Sequence, residues 1–420
     1  MRKNVIFSAA ITLLLLGCSE SNLDELDVRL DEQISMENKF ARPSEFKVSV
    51  SEAQDIALDF VQKFYQESKP TTKSAESIKI ESVDYVIDHQ TTKSGDQAAD
   101  TLMYAFNLSG GGFVLSASDS RTDPVYAFVE DGSYDKGEES EENPGFAIFL
   151  ENAAQKMQKD IESYDESNLS DQLNTKVARG ELDSDGFSVE YWMNPLLKTK
   201  WGQGSPYNTL TPIKNGKNCL TGCVITASAQ IISYFKYPTS VKWGSSPVAF
   251  NWNNPSDTHI AILMSYLGKE LNAEYDLDGT GANSEDARKW FSKHGYSVTK
   301  KVKMEAVQAR RYLADGYLVY ARGNAGYHHV GFIFRVPNEG HAWVIDGYLI
   351  AYKYNPKKRT SDTHDYLHCN WGWYGHRDGY YLATAFNTVK GSDFMDNTFE
   401  VEDENYYNFD YNLEMFGVKR

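Results

Sequence analysis

Cysteine is scarce in this chain, with four residues in 420. No disulfide framework of the kind that braces small secreted domains is implied, so stability must come from packed cores. Positive charge is also short. Lys and Arg number 42 against 59 Asp and Glu, for a net charge of −17. That balance speaks against nucleic acid as a partner and against charge-driven attachment to anionic lipid. No internal repeat and no long low-complexity tract is present. No phosphate loop stands at a strand-to-helix junction either: Gly110-Gly111-Gly112 precedes an apolar run and lacks a following Lys-Ser/Thr. Cys219 and Cys223 lack a second matching pair, which leaves zinc the least supported reading and no metal or cofactor expected.

One hydrophobic run stands out, from Val5 to Leu16 behind Arg2 and Lys3. It is too short to span a bilayer as a mature helix and reads as an export signal over residues 1–17. Its ending, Leu15-Leu16-Gly17-Cys18, resembles the lipobox of bacterial lipoproteins, in which the cysteine becomes the lipidated first residue. The competing reading is a plain secretory signal with an incidental cysteine. Residues 18–45 then form a lipidated acidic tether, and membrane contact runs only through the lipid on Cys18.

Behind the tether, Ser49-Val50-Ser51-Glu52 has the spacing of a capping box. Ala53, Ile56, Ala57, Phe60, Val61, Phe64 and Tyr65 follow at helical spacing, and Pro70 bounds the segment. Short strands are expected over Met103–Leu108, Gly112–Ser116 and Pro124–Val129, separated by Gly-rich or Asp/Ser-rich turns. A second amphipathic helix begins at Pro144 and carries Phe146, Phe149, Leu150, Ala153 and Met157. From Asp160 to Gly186 the composition is that of a linker. These features describe an α+β domain within residues 46–185, linker included, followed by an aromatic-rich domain over 186–420.

Three segments of the second domain carry chemistry. In the first, Cys223 follows Gly222, and Val224, Ala227, Ile231, Tyr234 and Phe235 continue at helical spacing until Pro238. A thiol in the first turn of a helix meets unpaired N–H groups and the positive end of the dipole, which favour the thiolate. The alternative for a lone cysteine is a buried structural role. In the second, His341 opens the apolar run Ala342-Trp343-Val344-Ile345, which ends in a turn signal at Asp346-Gly347-Tyr348. The rival pair His328-His329 stands in a Gly-containing stretch. In the third, Asn370 lies beside Trp371 in Asn370-Trp371-Gly372-Trp373. A neutral amide there can fix an imidazole tautomer, with the tryptophans shielding the bond from water. Gln203, in Trp201-Gly202-Gln203, is a side-chain donor candidate for an oxyanion, with the Cys223 amide as the second donor. A cysteine, a histidine and an asparagine in this order make up the pattern of a thiol protease.

The motifs resemble the papain superfamily and, within it, the streptopain family of bacterial cysteine proteases. Lys200-Trp201-Gly202-Gln203, Gly222-Cys223-Val224, Ala229-Gln230-Ile231, Gly340-His341-Ala342, Asp346-Gly347-Tyr348, Asn370-Trp371-Gly372-Trp373 and Asp378-Gly379-Tyr380 all follow that family's pattern. The N-terminal domain, with Gly112-Phe113-Val114-Leu115-Ser116-Ala117, is similar to the family's inhibitory propeptide. The resemblance implies a papain-like α+β protease domain, a helical part plus an antiparallel sheet, preceded by an α+β propeptide domain. It also implies a zymogen that acts on protein or peptide substrates and is held by its own propeptide as intramolecular inhibitor. Cys223 would be the nucleophile and His341 the general base, with Asn370, Gln203 and Trp371 in support. Departures fall on packing positions: Ile225 and Ser228 stand where small alanines are usual, Phe235 where histidine is common, and Tyr374 where glycine is common. Two other classes fit the same residues less well. One is a catalytically silent papain-like binding or inhibitory module. The other is a different thiol enzyme, such as a cell-wall amidase or a transglutaminase, in which an aspartate usually stands third.

Overall fold

Ser49 accepts a hydrogen bond on Oγ from the Glu52 amide at 3.2 Å, the cap that the Ser-x-x-Glu spacing predicts. The structure, a computed structural model, describes residues 46–68, 78–87, 101–135, 143–164, 186–237, 258–323, 340–355, 360–386 and 413–420. The expected signal, the Cys18 tether, linker residues 165–185 and the His328-His329 stretch lie outside the described residues. Among the described residues, no helix is long and apolar enough to cross a membrane.

Helix α1 (Val50–Ser68) buries Ala53, Ala57, Phe60, Val61, Phe64 and Tyr65, the stripe expected from the 3.6-residue period. Strands β1 (Ile80–Ile87), β2 (Thr101–Leu108), β3 (Phe113–Ala117) and β4 (Val125–Val129) form an antiparallel run in sequence order. Every residue of β2, β3 and β4 is buried, because helices cover both faces. Helix α2 (Pro144–Glu162) starts with Pro at its first position, and Asn143 Oδ1 accepts from the Phe146 amide at 3.1 Å. The linker composition beginning at Asp160 does not describe that residue. Asp160 is in the last turn of α2, buried, 2.5 Å from Lys156 Nζ and accepting from Thr122 Oγ1 at 2.7 Å. A paired carboxylate belongs to the core even in a polar stretch.

Beyond the linker come β5 (Phe187–Met193), the hairpin β6 (Ile213–Lys214) and β7 (Lys217–Asn218), and three helices: α3 (Cys223–Phe235), α4 (Thr258–Glu270) and α5 (Ser284–Lys293). Short strands β8 (Ser297–Val298) and β9 (Val302–Lys303), helix α6 (Ala306–Ala314) and β10 (Leu318–Gly323) follow. The chain then runs through β11 (His341–Asn355), β12 (Thr360–Asn370), β13 (Gly379–Leu382), a 3-10 turn over Ala383–Phe386 and β14 (Glu414–Lys419). The turn expected at Asp346-Gly347 is instead a register irregularity inside β11. There β11 exchanges one neighbour for another, pairing with β10 through Ile345 and with β5 from Tyr348 onward.

One sheet of 12 strands joins both sides of the linker, in the order β1-β2-β3-β4-β13-β12-β11-β10-β14-β8, with β5 also on β11 and β9 on β14. The seam is β4 on β13, where Val129, Phe128 and Ala127 face Gly379, Tyr380 and Tyr381. Alternation along the seam assigns each side chain to a face. Tyr380 meets Phe64 of α1, at 5.2 Å between ring centroids, while Tyr381 meets Phe149 of α2 at 4.6 Å. The same rule divides β11. Trp343 and Ile345 join the core that includes α2, whereas Ala342 and Val344 join the core of α3, α4 and α5.

Candidate active site

Cys223 is the first residue of α3 because Gly222 can cap the helix at φ 91°. That backbone conformation disfavours side chains, and a Cβ on Gly222 would also lie 2.6 Å from the Thr280 carbonyl oxygen. Cys219, Cys223 and Cys369 are all thiols. Cys219 and Cys369 are sealed in cores, and burial pushes the Cys369 thiol well above its usual range. Cys223 is half-buried at the end of its helix, with Sγ 4.0 Å from the Gly340 carbonyl oxygen. The helix N-terminus and the start of β11 therefore converge. Gln203 is drawn to the same place by its backbone: its carbonyl accepts from the Thr221 amide at 2.8 Å, two residues before Cys223.

His341 is almost fully buried, and its Nε2 lies 2.9 Å from the Trp371 carbonyl oxygen. That partner can only accept, so Nε2 carries the proton and Nδ1 is left as the acceptor. The ring lies parallel to Trp343 at 6.3 Å and edge-on to Trp373 at 6.3 Å. Burial pushes the imidazole down to about 4, with the Trp371 carbonyl working in the opposite direction. The ring is neutral near pH 7.

The Asn370 carboxamide does not meet the imidazole directly. Its Nδ2 donates to the Thr199 carbonyl at 2.9 Å, and its Oδ1 accepts from Gln230 Nε2 at 2.9 Å and from the Gly372 amide at 3.1 Å. The Gly372 N–H and the Trp371 C=O belong to one planar peptide. Asn370 therefore acts on His341 through that peptide, holding its N–H end while the imidazole holds its oxygen. Trp371 is fully buried, with its amide donating to Asp378 Oδ1 at 2.9 Å and its indole to the Arg377 carbonyl at 3.0 Å. Burial raises the Asp378 carboxyl to about 7, although the Trp371 amide and His368 pull it down. Behind it, His368 Nδ1 pairs with Asp346 at 2.6 Å. Burial opposes charge on His368, but the Asp346 carboxylate prevails and raises it.

Tyr374 occupies a left-handed conformation at φ 61°, which accounts physically for glycine being common there. Its hydroxyl accepts from the Gly204 amide at 2.8 Å, and its ring covers Gly202, where a Cβ would lie 2.5 Å away. The tyrosine thus braces the segment that bears Gln203.

The inhibitor side reaches the same residues. A Cβ on Gly145, in the first turn of α2, would lie 2.8 Å from His341 Cδ2 and would run into the Trp371 ring. Asn143 Nδ2 donates to the His376 carbonyl at 2.9 Å, pinning the start of α2 beside the Trp371 turn. Sequence reading missed Gly145, Gln230, Thr199 and Asp378 as parts of the site. Gln230 carried a signal, a polar residue two turns after Cys223 on a helix otherwise rich in apolar residues. No group of three metal-ligating side chains occurs among the described residues.

A helix-borne thiol, an imidazole on a strand and an α+β segment packed on the imidazole define the class as a thiol protease zymogen. The chain matches the Peptidase C10 family over residues 201–258 and 246–381 and the Spi protease inhibitor family over residues 45–157. It belongs to the Peptidase C10 family, the streptopain family, and is a cysteine-type endopeptidase behind an inhibitor propeptide. It is 27% identical over 394 residues to streptopain of Streptococcus pyogenes, covering 81% of this chain and 86% of that one. A thiol protease/hemagglutinin of Porphyromonas gingivalis is 23% identical over 336 residues, covering 69% of this chain and 34% of that one. Among solved structures, prointerpain A of Prevotella intermedia matches with a TM-score of 0.48 at 21% identity, over 75% of this chain and 94% of the other.

Proposed function

We propose that this chain is the latent form of a protease whose working pair is Cys223 and His341, with residues 46–185 as inhibitory segment and 186–420 as enzyme. The observation that carries the reading is the contact of Gly145 with both His341 and Trp371. The inhibitor helix seals the imidazole on the face of β11 opposite α3. There it is desolvated and neutral, unable to supply the imidazolium that a thiolate pair requires.

Removal of α2 rehydrates His341 and frees the ring to turn toward α3 with Nε2 still on the Trp371 carbonyl, so that Nδ1 takes the Cys223 proton. The thiolate then attacks the scissile carbonyl, forming a C–S bond. The Cys223 amide and the Gln203 side chain hold the oxyanion. As the tetrahedral adduct collapses, the His341 imidazolium gives its proton to the leaving amine and the C–N bond breaks. Water, deprotonated by His341, attacks the thioester, releasing the carboxylic acid and restoring the thiol. The Trp371 carbonyl orients the imidazole throughout, and Asn370 fixes that carbonyl. The substrates are proteins or peptides.

The chain is exported through residues 1–17 and anchored by lipid on Cys18, at the cell surface or facing the periplasm. Cleavage in the linker frees the enzyme. The Leu-Leu-Gly-Cys ending supports this reading. Fractionation of a Cys18→Ala strain tests it: the zymogen leaves the membrane fraction, whereas unchanged membrane association would contradict the anchor.

Casein hydrolysis after limited trypsin cleavage tests the active pair. Wild type gains activity, and Cys223→Ala and His341→Ala stay silent. A nicked, folded wild-type chain without activity would favour the binding-module reading.

A further inference from the structure

We propose that Gln230 is a positioning residue that ties the nucleophile helix to the peptide orienting His341, through the Asn370 carboxamide. The inference deepens the Cys223–His341 reading and rests on it.

Gln230 is fully buried within α3, between Ala229 and the buried Ile231 and Ile232. A carboxamide in such a place costs free energy unless its hydrogen bonds are made. Here they are made to two residues. Oε1 accepts from Thr199 Oγ1 at 2.7 Å, and Nε2 donates to Asn370 Oδ1 at 2.9 Å. Asn370 closes the ring by donating Nδ2 to the Thr199 carbonyl at 2.9 Å.

The backbone fixes every orientation in this ring. The Thr199 carbonyl requires an N–H from Asn370, and the Gly372 amide requires an oxygen. The Asn370 oxygen can therefore face only the Gln230 amino end, which leaves Oε1 for the Thr199 hydroxyl. Flipping Asn370 would break all three of its bonds, and flipping Gln230 would set Oε1 against Asn370 Oδ1.

Gln230 stands seven residues after Cys223, two helical turns along the same side of α3. It is thus a rigid strut from the thiol's own helix to the oxygen of Asn370. That oxygen holds the Gly372 N–H, and the carbonyl of the same peptide holds His341 Nε2 at 2.9 Å. Hydrogen bonds in such a chain polarise one another, so the Asn370 contact strengthens the Trp371 carbonyl as an acceptor. The network sets two things together: the position of the imidazole relative to the Cys223 helix and the strength with which its protonated form is held.

The test uses the full chain after tryptic processing, as wild type, T199V, T199S and Q230E. T199V keeps the shape and the backbone carbonyl but deletes the donor to Gln230; T199S restores it. Q230E sets a carboxylate oxygen against Asn370 Oδ1. Steady-state kinetics on a peptide substrate are read beside the pH dependence of Cys223 alkylation by iodoacetamide, both normalised to folded protein by thermal melting. T199V and Q230E are expected to lose kcat on the order of 10²-fold with KM little changed. Their alkylation profiles shift toward an ordinary thiol, and T199S keeps both wild-type properties. Folded T199V and Q230E with wild-type kcat and alkylation profile would overturn the inference. So would losses that only follow the unfolded fraction. A wild-type enzyme that neither alkylates selectively at Cys223 nor turns over would instead defeat the underlying Cys–His reading.

Discussion

Gly145 of the inhibitor helix is packed so closely on His341 that a single added methyl would lie 2.8 Å from the imidazole Cδ2. The Trp371 ring closes the other side of the same space, so the methyl has nowhere to go. Overpacking of this kind costs about 1–3 kcal/mol. Gly145→Ala is expected to weaken the hold of α2 and to raise the activity of the uncleaved chain. The rate of self-processing at low protein concentration reads this directly. Wild-type latency in the variant would show that α2 adjusts without cost.

Acid is expected to loosen the same contact. The buried His341 has its pKa lowered from 6.5 to about 4. A histidine held neutral in the folded state contributes stability that is complete above pH 6.5 and is lost as pH falls toward 4. Asp378 acts in the opposite sense. Its raised carboxyl, about 7, contributes stability that is complete below the ordinary aspartate value and is lost as pH rises through 7. The His341 contribution is isolated by comparing Cys223→Ala with Cys223→Ala/His341→Gln, neither of which can self-process. Between pH 6.5 and 4 the melting temperature of the single variant falls more steeply. Parallel curves would remove His341 from the acid response.

Tyr374 gives a third expectation. Tyr374→Phe removes the acceptor of the Gly204 amide and keeps the ring over Gly202. The hydroxyl also donates to the Ser205 carbonyl at 3.4 Å, and loss of each hydrogen bond at a half-buried site is worth about 1 kcal/mol or less. Its effect falls on the segment carrying Gln203, so the processed variant loses kcat by roughly fivefold while its melting temperature changes little. An unchanged kcat would mean that the segment is braced by the ring alone.

Much of this architecture was legible in the sequence because it is local. The Ser49 cap, the apolar stripe of α1, the start of α2 at Pro144 and the Gly222-Cys223 helix start are each written in a few neighbouring residues. The parts not legible depend on distant pairings. Nothing near Ala127 announces Tyr381 as its sheet partner, and nothing near Asn370 announces Gln230. The direct amide-to-imidazole bond expected from Asn370 gave way for that reason. The carboxamide is occupied by α3 and Thr199, and the imidazole is served by the next residue's carbonyl. Asp346-Gly347 read as a turn because those residue types favour one; a change of strand partner placed a sheet irregularity there instead.

The central claim is that Cys223 is a competent nucleophile only after α2 leaves His341. Intact-mass analysis with an epoxide thiol-protease inhibitor tests it most directly, on the uncleaved and the trypsin-processed chain side by side. One inhibitor is expected on the C-terminal fragment, at Cys223, with none on the uncleaved chain and none on processed Cys223→Ala. Labelling of the uncleaved chain at the same rate as the processed one would contradict the account.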